Sequence, residues 1–313
     1  MDAHGSTPEI TTTTATVVAG IDIGGTTIAA VLVADDGTVM ARGAVPAPAR
    51  EGGPAMADAA ANLVSRLVDQ SGTCLTAAGV GAAGVIDSDA GVIRAASMMF
   101  TDWAGFALAD ALTSRLHVPV RVENDVNAFL MGEIAWGDLG DDVLGIMLGT
   151  GVGGAVVLDG KLRHGPHGAA GEIGHTPGYS GIVCTCGQVG HLETVASGVS
   201  IGLRYGEASG ITGLDGAQVA DLARAGDPHA LAVFDAAGTA VALAGASAAG
   251  LLDLGVVIVG GGVMHSWDLL QPAIAATLAT DSPISGMPLR IQRARLGADA
   301  VALGAAAAAT HQP

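Results

Sequence analysis

IDIGGTTIAAVLVADDG at residues 21–37 and IMLGTGVGGAVVLDG at residues 146–160 follow one pattern at two places in the chain. Each stretch has an apolar segment of strand length, a turn rich in Gly and Thr, a second apolar segment and an Asp-Gly turn. The repetition predicts an internally duplicated α/β protein with two lobes. Such turns also expose backbone N–H groups without a Cβ in the way, so two opposed turns predict a clamp for the phosphates of one nucleotide.

The first lobe is predicted to mix strands and helices. Apolar segments at 17–23, 26–34 and 39–45 predict a three-stranded meander,. Apolar residues then recur at helical spacing over 55–68, and the segment 79–85 predicts a buried strand,. Farther along the chain the meander pattern repeats, which supports the duplication.

The chain is divided into three parts. We expect a disordered tail (1–16), a small α/β lobe (17–122) that a C-terminal helix (298–313) completes, and a large α/β lobe (123–297) with a metal-binding loop. The tail lacks the basic and apolar regions of a signal peptide, which predicts a cytoplasmic protein. The charge-free segment 236–252 is mostly Ala, Gly, Ser and Thr, so a buried helix is favoured over a membrane span,.

The composition limits the classes of partner. Of the 313 residues, 50% are hydrophobic and 14% are charged, which allows a large core in two domains,. The 30 acidic and 13 basic residues give a net charge of -17, the wrong sign for attraction to nucleic acid or anionic membranes,. An anionic nucleotide is expected to bind through Mg²⁺ and backbone amides instead. The shortage of Lys and Arg also disfavours inorganic polyphosphate as a phosphate donor.

The glycine turns have an alternative explanation. Either turn alone is as compatible with a tight hairpin as with a binding loop, but Asp22 beside the first turn favours a functional pair,. Neither turn matches the Walker pattern, and no G-x-G-x-x-G opens a helix after a strand,. A third cluster, VVIVGGG at 256–262, is compatible with passage under an adenine ring or with a plain strand-to-helix turn.

A carboxylate in the segment RVENDVN (121–127) is the candidate catalytic base. Asp125 follows a short apolar segment and precedes a helical run that starts near Val126,. Phosphoryl transfer to an alcohol needs a positioned carboxylate that accepts the hydroxyl proton. The alternative is that this carboxylate only caps the helix, since Asp and Asn are preferred at N-caps.

The segment GEIGHTPGYSGIVCTCGQVGHLE (171–193) gathers potential metal ligands and two carboxylates. Its two Cys and two His suit tetrahedral Zn²⁺ in a closed structural site. These ligands are His175, Cys184, Cys186 and His191. The alternative, a redox pair or two free thiols, leaves the flanking His unexplained, and C-x-C lacks the usual redox spacing. Glu172 and Glu193 are then available for neighbouring sugar hydroxyls, with the metal holding the loop in place,.

Six segments together resemble the ROK family of repressors and sugar kinases. They are IDIGGTT, VENDVN, LGTGVGG, GEIGH, CTCGQVGHLE and VVIVGGG, in this order, and they cover nearly all of the chain after the tail. The resemblance implies a duplicated actin/hexokinase-like, ribonuclease H-like fold, with ATP and a small sugar in the cleft between two lobes. It also implies a homodimer.

The resemblance implies a role for individual positions, with Asp125 as general base. The implied sugar-binding residues are Gly84, Asn124, Asp125, Glu172, His175 and Glu193. The implied ATP- and phosphate-binding residues are Asp22, Gly24, Gly25, Thr26, Thr27, Thr150, Gly151, Gly153, Gly154, Gly260, Gly261 and Gly262. His175 would bind both the sugar and zinc.

The sequence departs from the family pattern at three positions. Thr27 stands where many kinases of the family carry a lysine, and His191 stands where a third cysteine is usual. Met99 occupies the position of an asparagine ahead of a Trp. The family pattern admits several aldohexoses phosphorylated at the 6-hydroxyl. Met99 and the small Ala82 and Ala83 favour N-acetylglucosamine over glucose, with drift in an alanine-rich chain as the alternative explanation.

A second class of function is a sugar-sensing regulator without catalysis. The repressors of the family carry a winged helix-turn-helix before the first glycine turn, whereas about twenty residues precede Asp22 here,. Sensing also needs no base, so Asp125 favours a kinase.

Overall fold

The structure is a computed structural model that describes residues 15–137 and 139–310. The predicted disordered tail at 1–16 lies outside the described residues except for its last two, and Thr16 already belongs to the first strand. The last three residues of the predicted C-terminal helix, 311–313, also lie outside.

The first half of the chain forms a five-stranded sheet and a small hairpin. Its elements are β1 (Thr16–Ile23), β2 (Thr27–Ala34), β3 (Val39–Pro46), α1 (Gly53–Ser71), β4 (Cys74–Ala82), the hairpin of β5 (Val85–Asp87) and β6 (Val92–Ala95), α2 (Leu108–Leu116), β7 (Val120–Asn124) and α3 (Asp125–Ala135). The sheet has the order β3-β2-β1-β4-β7, in which β1 pairs antiparallel with β2 and parallel with β4. The predicted meander and first helix are confirmed.

The predicted strand at 79–85 is wrong at both ends. β4 begins at Cys74, because its first residues already pair with the start of β1. It ends at Ala82, and the chain becomes a strand again only at Val85. Between them Gly84 has a φ of 122°, a conformation that L side chains rarely adopt, and the apolar run is interrupted there,.

The second half of the chain repeats this sheet. Its elements are β8 (Val143–Leu148), β9 (Val152–Leu158), β10 (Lys161–Leu162), α4 (Glu193–Ala196), α5 (Gly198–Ser209), α6 (Gly216–Arg224), α7 (Pro228–Leu252), β11 (Val256–Gly260), α8 (Trp267–Thr280), β12 (Arg290–Arg293) and α9 (Ala300–Thr310). The strand order β10-β9-β8-β11-β12 matches that of the first sheet, with the same antiparallel and parallel pairings. The internal duplication predicted from the two glycine turns is therefore confirmed.

Helix α7 contains the charge-free segment 236–252, for which a buried helix is predicted in preference to a membrane span. It is long and apolar enough to cross a membrane, but 56% of its most apolar window is buried inside the protein. Its buried face includes Phe234 and Val241, which belong to the same cluster as Leu144 and Val257 of the second sheet. The expected core helix is therefore present, and it begins eight residues earlier than the charge-free segment because Asp227 caps it ahead of Pro228,.

Helix α9 packs on the first sheet although it is the last described element. A Cβ atom at Gly20 of β1 would collide with the backbone carbonyl of Ala302. One at Gly79 of β4 would collide with that of Ala305. Only glycine lets the helix approach so closely. The C-terminal helix thus covers the first sheet, and its assignment to the small lobe stays a prediction.

Candidate active site

The carboxyl ends of three parallel strands meet at one edge of the first sheet. β1, β4 and β7 are neighbours, and the register sets Asp22 opposite Gly81, and Ala82 opposite Asn124. In open α/β sheets this edge is the usual place for ligands. The predicted residues that lie along it are Asp22, Gly24, Gly25, Thr26, Gly84, Asn124 and Asp125.

Asn124 holds the turn that joins β7 to α3. Its Oδ1 accepts hydrogen bonds from the backbone N–H groups of Val126 (2.9 Å) and Asn127 (3.1 Å), which makes Asn124 the N-cap of α3. Its Nδ2 donates to the Gly84 carbonyl (2.9 Å) and to Asp125 Oδ1 (3.0 Å). The cap is therefore Asn124 and not Asp125. Because both lone pairs and both N–H groups of this amide are engaged, Asn124 orients Asp125 in this structure.

The two carboxyl groups at this edge have pKa values close to neutrality. Burial raises the pKa of Asp125 to about 6, and the negative charge of Glu172 adds to this effect, although hydrogen bonds from Val126 and Asn124 oppose it. Burial also raises the pKa of Asp22 to about 7, with a further contribution from Asp125. A carboxylate with a pKa near the working pH is suited to accept a proton from a substrate hydroxyl.

The first glycine turn closes on itself. The Gly24 N–H donates to the Thr27 carbonyl (3.0 Å), so β2 begins at Thr27, one residue later than predicted. Thr26 and Thr27 are exposed. A Cβ at Gly25 would collide with the sulfur of Met99, so the loop that departs from the family pattern covers this turn directly.

The second glycine turn opens onto a large cavity of about 1030 Å³, near the upper end of the range for small-molecule sites,. Gly149 and Thr150 line one side, and the first turn of α5 lines another. The Gly198 N–H donates to the Gly149 carbonyl (2.8 Å), which places the N-terminus of α5 beside the turn. Exposed N–H groups at a helix N-terminus attract phosphate groups.

Besides Gly25, five of the glycines assigned to the nucleotide have a packing contact that explains the absence of a side chain, and a Cβ at Gly151 would meet the Glu193 carboxylate. A Cβ at Gly153 would meet Val126, and one at Gly154 would meet the Gly171 carbonyl. Gly260 faces the ring of Phe129, and Gly261 faces the Leu148 carbonyl. Gly262 lies next to open space and lines the cavity. Of the third glycine cluster, Gly262 is therefore the member that borders this cavity.

The two glutamates of the Cys/His segment differ in their surroundings. Glu172 is exposed and has no side-chain hydrogen bond among the described residues, and its charge reaches Asp125. Glu193 is engaged, because its Oε2 accepts from the Val152 N–H (3.0 Å) and its Oε1 from the Thr185 hydroxyl (2.7 Å). Glu193 thus joins the second glycine turn to the Cys/His loop, whereas Glu172 is free to bind a ligand.

The Cys/His loop brings four potential metal ligands together, as predicted. Nδ1 of His175 lies 3.4 Å from Nδ1 of His191 and 3.7 Å from Sγ of Cys184. Sγ of Cys186 lies 3.3 Å from Nδ1 of His191, and all four ligand atoms lie within 4.8 Å of one another. A tetrahedral ion with bonds of about 2.0–2.3 Å separates its ligand atoms by about 3.3–3.8 Å. The three distances given for neighbouring ligand atoms fit such an ion.

The sequence did not reveal the far wall of the cavity. Gly202 and Leu214 line it from α5 and the following loop, and Val263 and His265 line it from the short helix Gly262–Ser266. Three of these residues are apolar or glycine and His265 is a single histidine, and none belongs to a motif, so only the fold brings them together. The one available signal was Ser197, an N-cap whose hydroxyl accepts from Ser200 N–H and marks a helix start,.

A known protein family combines duplicated sheets, acidic residues at the strand ends and a Cys/His loop, and sequence comparison identifies this family. The ROK family matches residues 18–312, so the chain belongs to the ROK family. The fold is the duplicated actin/hexokinase-like fold of its structural relatives.

Three relatives align with this chain over most of their own length. A glucokinase of Halalkalibacterium halodurans is 33% identical over 91% of this chain and 92% of its own. An N-acetylmannosamine kinase of Yersinia pseudotuberculosis is 34% identical over 82% of this chain and 86% of its own. The crystal structure of a ROK family glucokinase from Streptomyces griseus, in complex with glucose and AMPPNP, matches with a TM-score of 0.78 and 31% identity over 94% of this chain and 99% of its own.

Proposed function

We propose that this protein is an ATP-dependent sugar kinase that phosphorylates the 6-hydroxyl of an aldohexose. The observation that carries the proposal is the position of Asp125, a carboxylate with a pKa of about 6 at the strand edge between Asp22 and Glu172. The complex of the Streptomyces griseus relative with glucose and AMPPNP supports a cleft that takes both substrates.

The sugar would bind on the side of Glu172 and Asp125. Glu172 offers two acceptor oxygens for neighbouring hydroxyl groups, and the Asp125 carboxylate accepts the proton of the reacting hydroxyl. The hydroxyl oxygen then attacks the terminal phosphorus of ATP, the bond from that phosphorus to the bridging oxygen breaks, and ADP leaves. Most of the acceleration comes from alignment and charge stabilisation, with the base contributing about 10²–10⁴-fold.

The nucleotide would extend from this edge into the large cavity. The phosphates would meet the two glycine turns, and the adenosine would lie near Gly262 and the first turn of α5. Mg²⁺ would neutralise the phosphate charge that a chain with 13 Lys and Arg residues cannot neutralise alone,. Asp22 is the carboxylate that fits this ion, because its raised pKa reflects a buried negative charge without a positive partner,.

We infer that the Cys/His loop holds a structural Zn²⁺. The donor set of two thiolates and two imidazoles is the one that zinc prefers, and the ligand spacing fits a tetrahedral site,. When bound, the ion supplies a rigid cross-link between the ends of the loop. Thr185 lies between Cys184 and Cys186 and donates to Glu193, so the loop in turn orients Glu193,.

The identity of the sugar is a finer proposal. Met99 lies over Gly25 where the family pattern has an asparagine. Its side chain offers an apolar contact for the methyl group of an N-acetyl substituent and lacks the amide with which asparagine would hydrogen-bond a sugar hydroxyl. We therefore propose N-acetylglucosamine as the preferred acceptor and glucose as the alternative. Homodimer formation and a cytoplasmic location stay predictions from the family resemblance and the sequence.

A sugar panel tests the proposal. ADP release is measured with Mg·ATP and glucose, N-acetylglucosamine, N-acetylmannosamine, mannose or no sugar. The expected result is sugar-dependent ADP release with one preferred hexose and slow hydrolysis without sugar, since closure of the lobes excludes water. No ADP release across the panel, from folded and metal-loaded protein that binds a sugar in calorimetry, would instead identify a sensor.

A further inference from the structure

Glu123 is a buried carboxylate that the proposed chemistry does not use. It is the penultimate residue of β7, next to the catalytic turn, and is 9% exposed. Its Oε1 accepts from Ser88 Oγ (3.0 Å), the Asn124 backbone N–H (2.8 Å) and Asn127 Nδ2 (2.9 Å). Its Oε2 pairs with His164 Nε2 at 2.7 Å. A carboxylate is rarely buried unless such partners compensate its desolvation, so the convergence of four partner groups on one side chain requires an explanation.

His164 lies on a different part of the chain from the other three partners. It belongs to the segment 163–172, which follows β10 and ends at Glu172, the free carboxylate of the sugar side. Three glycines with positive φ, Gly165, Gly168 and Gly171, make this segment poor in side-chain packing,. The contact of His164 with Glu123 therefore attaches the sugar-binding segment directly to the strand that leads into Asp125.

The electrostatics agree with this geometry. The hydrogen bond to Glu123 raises the pKa of His164, against the effect of its partial burial, and the charges of Glu123 and Asp89 add to the increase. Burial alone would raise the pKa of Glu123, but the hydrogen bonds from His164 and Asn127 lower it below its ordinary value. Each group thus favours the charged form of the other.

We propose that Glu123 and His164 form a positioning pair, which holds Glu172 at the distance from Asp125 that the bound sugar requires. The pair touches neither substrate, and it acts by fixing the segment 163–172 against the catalytic turn. This inference rests on the proposed kinase function, because it assigns the sugar to the side of Glu172. Glu123 and His164 orient the residue that binds the sugar and have no role in nucleotide binding.

Steady-state kinetics of three single variants test the pair. His164→Ala removes the contact, His164→Gln keeps an N–H donor, and His167→Ala is the matched control, an exposed histidine of the same segment with no hydrogen bond among the described residues. For the best sugar of the panel we expect His164→Ala to lower kcat/KM about tenfold, mostly through KM, with KM for Mg·ATP changed by less than about twofold. His164→Gln should recover most of the loss, and His167→Ala should equal the wild type.

The split between the two KM values separates positioning from a general loss of stability. Misfolding would lower the active fraction, and thus kcat, without a selective rise in the sugar KM. If His164→Ala matches His167→Ala in both constants, or if Gln recovers nothing, the positioning pair is refuted.

A second measurement does not depend on activity. The imidazole pKa of His164 is followed by NMR in the wild type and in Glu123→Gln, with the signal assigned by its loss in His164→Gln. We expect the pKa to fall toward the ordinary histidine value when the Glu123 charge is removed. An unchanged pKa would refute the pair even in a protein that phosphorylates no sugar, so failure of the kinase proposal and failure of this one are distinguishable.

Discussion

The two sheets have one strand order and yet contribute different chemistry. In the first sheet β1 carries Asp22 near its end and β7 leads into Asn124 and Asp125. The equivalent strands of the second sheet carry Met147 and end at Arg293. The second half instead opens onto the large apolar cavity. The two halves thus share similar loops and differ at equivalent strand ends, and under the proposed function the first half supplies the acid-base chemistry and the second half the nucleotide cavity.

The largest effect is expected from removal of Asp125, the proposed base in the first half. Asp125→Asn keeps the size of the side chain but removes the base, so kcat should fall by about 10²–10⁴-fold, with sugar binding by calorimetry largely retained. Asp235→Asn, at an exposed position of α7, is the matched control and should keep full activity. Turnover close to wild type in Asp125→Asn would remove Asp125 from the mechanism.

The same carboxyl should set the pH dependence. Its pKa of about 6 in the folded protein lies above the ordinary value of 3.8, and the base must be ionised to act, so kcat should fall about tenfold per pH unit below pH 6,. Between these two values the folded state binds more protons than the unfolded state, so this group's contribution to stability falls as pH rises. Asp125→Asn should therefore have an unchanged or higher Tm at pH 7.

A smaller effect is expected from the loop that supports the sugar side of the second half. Cys184→Ser removes one of four metal ligands and should lower the bound metal measured by elemental analysis,. The loop then holds Glu193 less well, so kcat/KM for the sugar should fall about 10–100-fold. Cys74→Ser, an exposed cysteine of the first half, is the control and should change neither quantity. Full activity in metal-free Cys184→Ser would show that the loop needs no ion.

The smallest effect concerns the nucleotide cavity. Gly262 faces open space inside the cavity, so Gly262→Leu should place a side chain where the nucleotide binds and raise KM for Mg·ATP about fivefold, without change in the sugar KM,. Gly255→Leu is the control, because Gly255 also faces open space but does not line the cavity. Equal KM values for the two variants would argue against adenosine in this cavity.

Local sequence patterns predicted the duplicated sheets, the start of α3 and the Cys/His cluster, because each depends on neighbours in the chain. The turn at Gly84 was missed, since an apolar run gives no sign that one glycine will adopt a positive φ. The role of Asn124 as the helix cap also needed the structure, which decides between adjacent Asn and Asp side chains.

Contacts between distant segments were harder to predict. Nothing in the segment around His164 indicates that its imidazole meets a carboxylate 41 positions earlier. The far wall of the cavity is likewise formed by Gly202, Leu214, Val263 and His265, none of which belongs to a sequence motif. Such sites follow from strand order and helix packing, and single-sequence patterns do not contain that information.

The packing of α9 on Gly20 and Gly79 has a consequence for biosynthesis. The sheet that needs α9 as its cover is translated first, and α9 emerges from the ribosome after every other described element. Until then the face of the first sheet that includes Val18, Val31 and Val33 lacks the apolar cover that α9 provides. The first sheet is therefore completed only after the second has been translated. A chain stalled on the ribosome before residue 300 would expose an apolar surface to which chaperones bind,.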